Sequence, residues 1–86
     1  MKRIVESSDV AGLDALLGEE VLLLCSNYFY AGKLVGVNDT FVELETPKIV
    51  YETGPWGERG YKDVQPLHCP RFCVCRGAIE SFGVTK

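Results

Sequence analysis

The chain predicts a mainly β fold: a small, strongly bent, five-stranded antiparallel barrel with an N-terminal α-helix, formed as one domain over residues 1–86. Three observations carry that expectation. The run Val21-Leu22-Leu23-Leu24-Cys25 is apolar without alternation, as suits a strand covered on both faces. Gly32 and Gly36 remove side chains within the β-type stretch Tyr28 to Val37, where a strand that curls between the two halves of a barrel must bend. Thr40 to Glu45 then alternates, with Val42 and Leu44 on one face and Phe41, Glu43 and Glu45 on the other, so one face goes to the core and Phe41 is left among charges.

Taken in order, Ser7-Ser8-Asp9 offers capping oxygens, Val10, Leu13, Leu16 and Leu17 recur at helical spacing, and Gly18 supplies a stop. This predicts an amphipathic helix over about 9–17. The first strand follows at 21–25, and Ser26-Asn27 is turn chemistry. The second strand covers 28–37, Asn38-Asp39 is the next turn, and the third strand covers 40–45. Pro47 interrupts it, and Ile49-Val50-Tyr51 resumes β-type composition. From Glu52 to Pro70 the chain changes character: Gly54, Gly57 and Gly60, Pro55, Pro66 and Pro70, with Trp56 and Tyr61 between, predict a long loop over about 52–70 anchored by aromatic rings. A fourth strand is expected at 71–76 and a fifth at 79–84, after the Gly77-Ala78 break.

Eighty-six residues bury little core on their own, so self-association is expected. Nine basic against twelve acidic residues, a net charge of -3, argue against coating duplex nucleic acid through broad phosphate neutralisation, yet leave room for a local basic site repeated around a ring. After Met1-Lys2-Arg3, Glu6 and Asp9 interrupt the apolar region that a secretory leader requires, and no apolar run approaches a membrane span; a cytoplasmic protein without a membrane partner is expected. Cys69, Cys73 and Cys75 stand in C-x3-C-x-C spacing behind His68, which differs from the paired knuckles of structural zinc. Cys73 and Cys75 share a strand face, and the cysteines are read as core or barrel-surface residues rather than as a metal site or a disulfide. Gly54, Gly57 and Gly60 lack the strand-to-helix context of a phosphate loop, and His68 has no serine or carboxylate at triad spacing. Neither an enzyme nor a cofactor is expected.

The stretch Tyr30 to Leu44, paired with the later Val74-Cys75-Arg76-Gly77-Ala78-Ile79, resembles the two signature halves of the Sm-like (LSm/Hfq-like) family of small β-barrels. In the bacterial RNA-chaperone branch, Gly12-Leu13-Asp14-Ala15-Leu16 resembles the helical Phe-Leu-Asn-Ala-Leu, Asp39-Thr40-Phe41-Val42 is similar to Asp-Gln-Phe-Val, and Val74 to Ile79 is similar to Val-Tyr-Lys-His-Ala-Ile. The resemblance covers the chain apart from a 46–70 insertion. It implies a closed homo-oligomeric ring of roughly five to seven subunits, joined by pairing the fourth strand of one with the fifth of the next. It also implies single-stranded RNA at the pore, with Phe41 stacking a base and Arg76 supplying the cation, aided by Thr40 and Lys33. Phe41 has the alternative of packing against a neighbouring subunit or under the loop, and Arg76 of pairing with Glu43, Glu45 or Glu80. Gly77 stands where that branch has histidine, Cys75 where it has tyrosine, and Val42 or Glu43 where other branches read uracil with asparagine. The competing expectation is a protein-interaction or assembly ring, such as a phage or mobile-element accessory protein, without nucleic acid. Trp56, Tyr61, Phe72 and Val74 are the expected partner-interface residues, the loop packing on an adjacent subunit or a partner protein.

Overall fold

The computed structural model describes residues 12–85. Among these, six antiparallel strands form one sheet: β1 (Glu20–Cys25), β2 (Phe29–Val37), β3 (Phe41–Glu52), β4 (Asp63–Pro66), β5 (Phe72–Cys75) and β6 (Ile79–Val84). The order is β4-β3-β2-β1-β6, and β5 also pairs with β3. β3 serves both because it is long: Phe41 to Leu44 faces β5, while Lys48 to Glu52 faces β4. β5 and β6 are not paired with each other, so the sheet is bent but not closed, which corrects the expected closed barrel.

The bend is built from bulges and close approach. Between Ala31 and Lys33 the β2–β3 register slips by one residue, because β3 carries Thr46 and Pro47 as a bulge, with Thr46 in the left-handed region at φ 49. Pro47 therefore does not end the strand as its missing N–H suggested. It is buried at the bulge, and its carbonyl accepts a hydrogen bond from the Leu67 N–H at 2.8 Å. Gly32 lies against this bulge: a Cβ there would stand 3.1 Å from the Glu45 carbonyl oxygen and 3.3 Å from Pro47 Cα.

Both faces of the bent sheet carry core. On the inner face Val21, Leu23, Cys25, Leu34, Val42, Leu44 and Val74 pack with Leu13. The alternation of β3 is as expected, since Val42 and Leu44 are buried and Phe41, Glu43 and Glu45 are not. On the opposite face Leu22, Ala31 and Val50 are covered by Val64 and Tyr61, which explains why β1 reads as apolar throughout. β4 lies inside the predicted 52–70 loop, so that loop is instead the distal half of a β3–β4 hairpin followed by a connector. The force behind it is burial of the second face, which the short and weakly apolar Asp63-Val64-Gln65-Pro66 does not announce.

The expected helix over 9–17 is also corrected: a single 3-10 turn spans Leu13–Leu16, and residues 9–11 lie outside the described residues. Gly18, at φ 90, donates its N–H to the Leu34 carbonyl at 2.7 Å, and Leu34 N–H returns a bond to Glu19 at 2.9 Å. These bonds commit the chain to the sheet immediately after the turn, so the apolar spacing of Leu13 and Leu16 serves to lay two side chains over the inner core.

Candidate functional site

Asn38 organises the corner at which the β2–β3 turn meets the second 3-10 turn, Arg76–Ala78. Its side-chain oxygen accepts the Thr40 and Phe41 N–H groups at 2.7 and 2.8 Å, and its own N–H bonds to the Phe41 carbonyl at 3.0 Å. Asparagine suits this because a short carbonyl side chain can stand in for a backbone acceptor in a tight turn. From the other side Arg76 donates its backbone N–H to Thr40 O at 2.9 Å and its Nη1 to Asn38 O at 2.8 Å. Phe41, half-buried, stands directly across from Cys75. Thr40, Phe41 and Arg76, far apart in the chain, are thus tied into one corner.

Arg76 does not form the ion pair that was the alternative to a ligand-binding role. Its side chain bonds to the Asn38 carbonyl rather than to Glu43, Glu45 or Glu80, and a guanidinium with five donors keeps others for a ligand. Glu43 is taken by Arg71, in a fork of 2.6 Å from Nε and 3.3 Å from Nη2. The hydrogen bond and charge of Glu43 raise the Arg71 pKa above its already high value, so the guanidinium keeps its charge. Arg71 thereby offsets one of the two acidic positions next to the corner. Sequence reading missed both Arg71 and the anchoring role of Asn38; the first depends on the β3–β5 register, whereas the second was signalled by the turn dipeptide.

Lys33 does not join this group. It lies along β2 opposite Glu20 on one side and Glu45 on the other, about 13 Å of strand from Val37. Of the interface candidates, Trp56 is 59% exposed on the β3–β4 connection. Tyr61 is half-buried: it packs on the chain's own second core with its hydroxyl hydrogen-bonded to the Thr85 hydroxyl. The Val74 side chain is 6% exposed and part of the inner core, which leaves its strand edge as the part open to a neighbour. Phe72 is half-buried, with its ring centroid 5.2 Å from that of Tyr30.

Cys25 is a core residue, while Cys69, Cys73 and Cys75 are exposed, all four as free thiols. Among the described residues no three histidine, cysteine or acidic side chains converge as metal ligands, and no helix is long and apolar enough to cross a membrane. No family model matches the chain, and no curated protein or solved structure is significantly similar to it.

Burial raises the pKa of the Cys25 thiol, and burial, with the neighbouring Cys25, Tyr28 and Tyr51, raises that of the Tyr30 phenol. Both groups favour their neutral forms more strongly in the folded state than in the unfolded one. The associated stability is therefore complete below the ordinary thiol range and declines as the pH rises through the raised values. Thermal unfolding midpoints should fall above about pH 9, and Cys25→Ala should flatten the first part of that decline. A midpoint independent of pH through this range would contradict the burial of both groups.

Proposed function

We propose that this chain is an Sm-like subunit that assembles edge to edge into a closed homo-oligomeric ring and holds single-stranded RNA at the corner made by Phe41, Thr40 and Arg76. The observation that carries the reading is the convergence itself: Asn38 binds the Phe41 and Thr40 amides, and Arg76 bonds back to the same turn. An aromatic ring beside a fixed cation is the minimal apparatus for stacking one base and contacting its phosphate. The strand connectivity supports the assembly half, because β5 and β6 each have one unpaired edge in a small fold with apolar surface remaining. Pairing β5 of one subunit with β6 of the next would satisfy both of these edges.

A protein-interaction ring without nucleic acid is the second reading, favoured by the net charge of -3 and by the exposed Trp56. Fluorescence anisotropy with U-rich and A-rich single-stranded oligonucleotides at low salt separates the two. Under the RNA reading the protein binds, and Arg76→Ala weakens binding about tenfold or more, in keeping with the loss of a stacking or phosphate contact worth about 1–3 kcal/mol. Absence of binding, or binding indifferent to Arg76→Ala, would transfer the assignment to the protein-interaction ring.

A further inference from the structure

Two adjacent grooves on the surface share a wall. The larger, about 320 Å³, runs between the β1–β2 turn and β5, with Tyr28, Tyr30 and Phe72 among its lining residues. The smaller, about 220 Å³, is lined by Tyr28, Phe29, Val50, Tyr51 and Asn27. Asn27 and Tyr28 belong to both, so Tyr28 forms a ridge between them. The rings are spaced in sequence along the surface: Phe72 to Tyr30 at 5.2 Å, Tyr30 to Tyr28 at 6.4 Å, and Tyr28 to Tyr51 at 6.3 Å with the last two perpendicular. Tyr28 and Tyr51 are 48% and 52% exposed, which is substantial apolar surface to leave in water.

Charge decides what fits. Among the described residues, no acidic, basic or histidine side chain lines either groove, in a chain of which 24% is charged. Tyr30 and Cys25 remain neutral at physiological pH because burial raises both their pKa values. A nucleotide lying here would have no cation for its phosphate, and a charged peptide would have no counterion. The ligand that matches is uncharged along its contact, extended enough to cross the Tyr28 ridge, and stiff enough to lose little entropy on docking. A polyproline II segment meets each condition: it repeats every three residues, about 9 Å, so successive prolines on one face can occupy grooves on either side of a ridge. Its backbone forms no internal hydrogen bonds, and its carbonyls need donors of the kind that Asn27, Ser26 and the tyrosine hydroxyls supply.

We propose that the paired grooves flanking Tyr28 bind a proline-rich segment of a partner protein in the polyproline II conformation. Recognition of this type uses aromatic ring faces. β5 lines the larger groove, so a segment seated there and β6 of a neighbouring subunit would compete for the same edge, whereas Phe41, Thr40 and Arg76 line neither groove.

The test titrates the full chain with a fluorescein-labelled decaproline peptide, and with a control of equal length in which glycine and serine replace every proline. Decaproline should bind and the control should not. Tyr28→Ala and Tyr51→Ala should each weaken decaproline binding by at least about tenfold, the effect of truncating one aromatic anchor, with far-UV circular dichroism unchanged. Arg76→Ala should leave it unaltered, which keeps failure here distinct from failure of the RNA reading. Decaproline that does not bind the folded protein at millimolar concentration overturns the proposal. Equal binding of the control, or retention of affinity in both tyrosine variants, overturns it as well. Loss of self-association in Tyr28→Ala would assign the grooves to a second copy, and Tyr28-dependent oligonucleotide binding would assign them to bases.

Discussion

Cys73→Pro is expected to convert the proposed ring to monomers while leaving the sheet of each subunit intact. The reason lies in which way the β5 backbone groups point. Arg76 N–H bonds to Thr40 O, which makes that pair a hydrogen-bonded one in the antiparallel β3–β5 ladder. Alternation then places Val74 and Phe72 in bonded pairs with Val42 and Leu44, and turns the N–H groups of Cys73 and Cys75 away from β3. Proline at position 73 therefore removes an outward donor without removing a bond within the subunit, and its ring obstructs an approaching strand. Leaving one partner acceptor buried and unpaired costs about 1–3 kcal/mol, which weakens each interface roughly 5- to 150-fold, and a closed ring repeats that weakness at every interface. Native mass spectrometry at micromolar concentration reads the change directly. Cys73→Ala, which keeps the N–H and changes only an exposed side chain, should assemble like the parent. A parent protein that is monomeric under these conditions, or a proline variant that still assembles, would exclude β5 as the joining edge.

The first two strands and the turn after them were the most legible part of this fold, and the β3–β4 hairpin was the least. β1 could be read from its apolar run, the bend of β2 from its glycines, and the β2–β3 turn from Asn38-Asp39, because each feature is a local response of the backbone to a local residue type. The same holds for Val42 and Leu44, whose inward parity follows from alternation alone. Parity would also have placed Val74 inside, since Cys73 and Cys75 take the other face of β5; reading the strand as an interface obscured it. What sequence could not show was set by partners distant along the chain. β4 has a single apolar residue in its four and exists because the second half of β3 and the exposed faces of Leu22 and Ala31 need a cover. Tyr61 was expected to seek a neighbour because the domain is small, and it instead completes that cover. The Arg71–Glu43 fork required the β3–β5 register, which no local pattern encodes. At the candidate site the turn chemistry was visible in advance, and the bond from Arg76 that closes the corner was not.

Gly32→Ala should lower the unfolding free energy by about 1–3 kcal/mol, the usual cost of forcing a methyl into a close-packed position. For a domain of this size that corresponds to a midpoint about 5–20 °C lower. The sign is not the one a strand glycine would ordinarily give, since replacing glycine where the backbone allows it stabilises by about 0.4–1 kcal/mol through the unfolded chain. Here the added Cβ would meet the Glu45 carbonyl oxygen at 3.1 Å, Leu44 Cβ at 3.3 Å and Pro47 Cα at 3.3 Å. Two of these are backbone atoms of the bulge and the third belongs to a buried core side chain, so none can swing aside as the tip of a flexible chain would. Moving them means moving the Thr46–Pro47 bulge, where β3 turns from its pairing with β5 to its pairing with β4. Gly36→Ala supplies the internal comparison. Its Cβ would meet only the Glu43 side chain, at 3.3 Å from Cβ and 3.4 Å from Oε1, with no backbone atom in the way, and the half-exposed carboxylate can shift against Arg71 with little loss. Urea unfolding of the two variants should therefore rank Gly32→Ala well below Gly36→Ala. Equal midpoints would mean that β3 does not press on β2 at the bulge, and that the bend of the sheet has another origin.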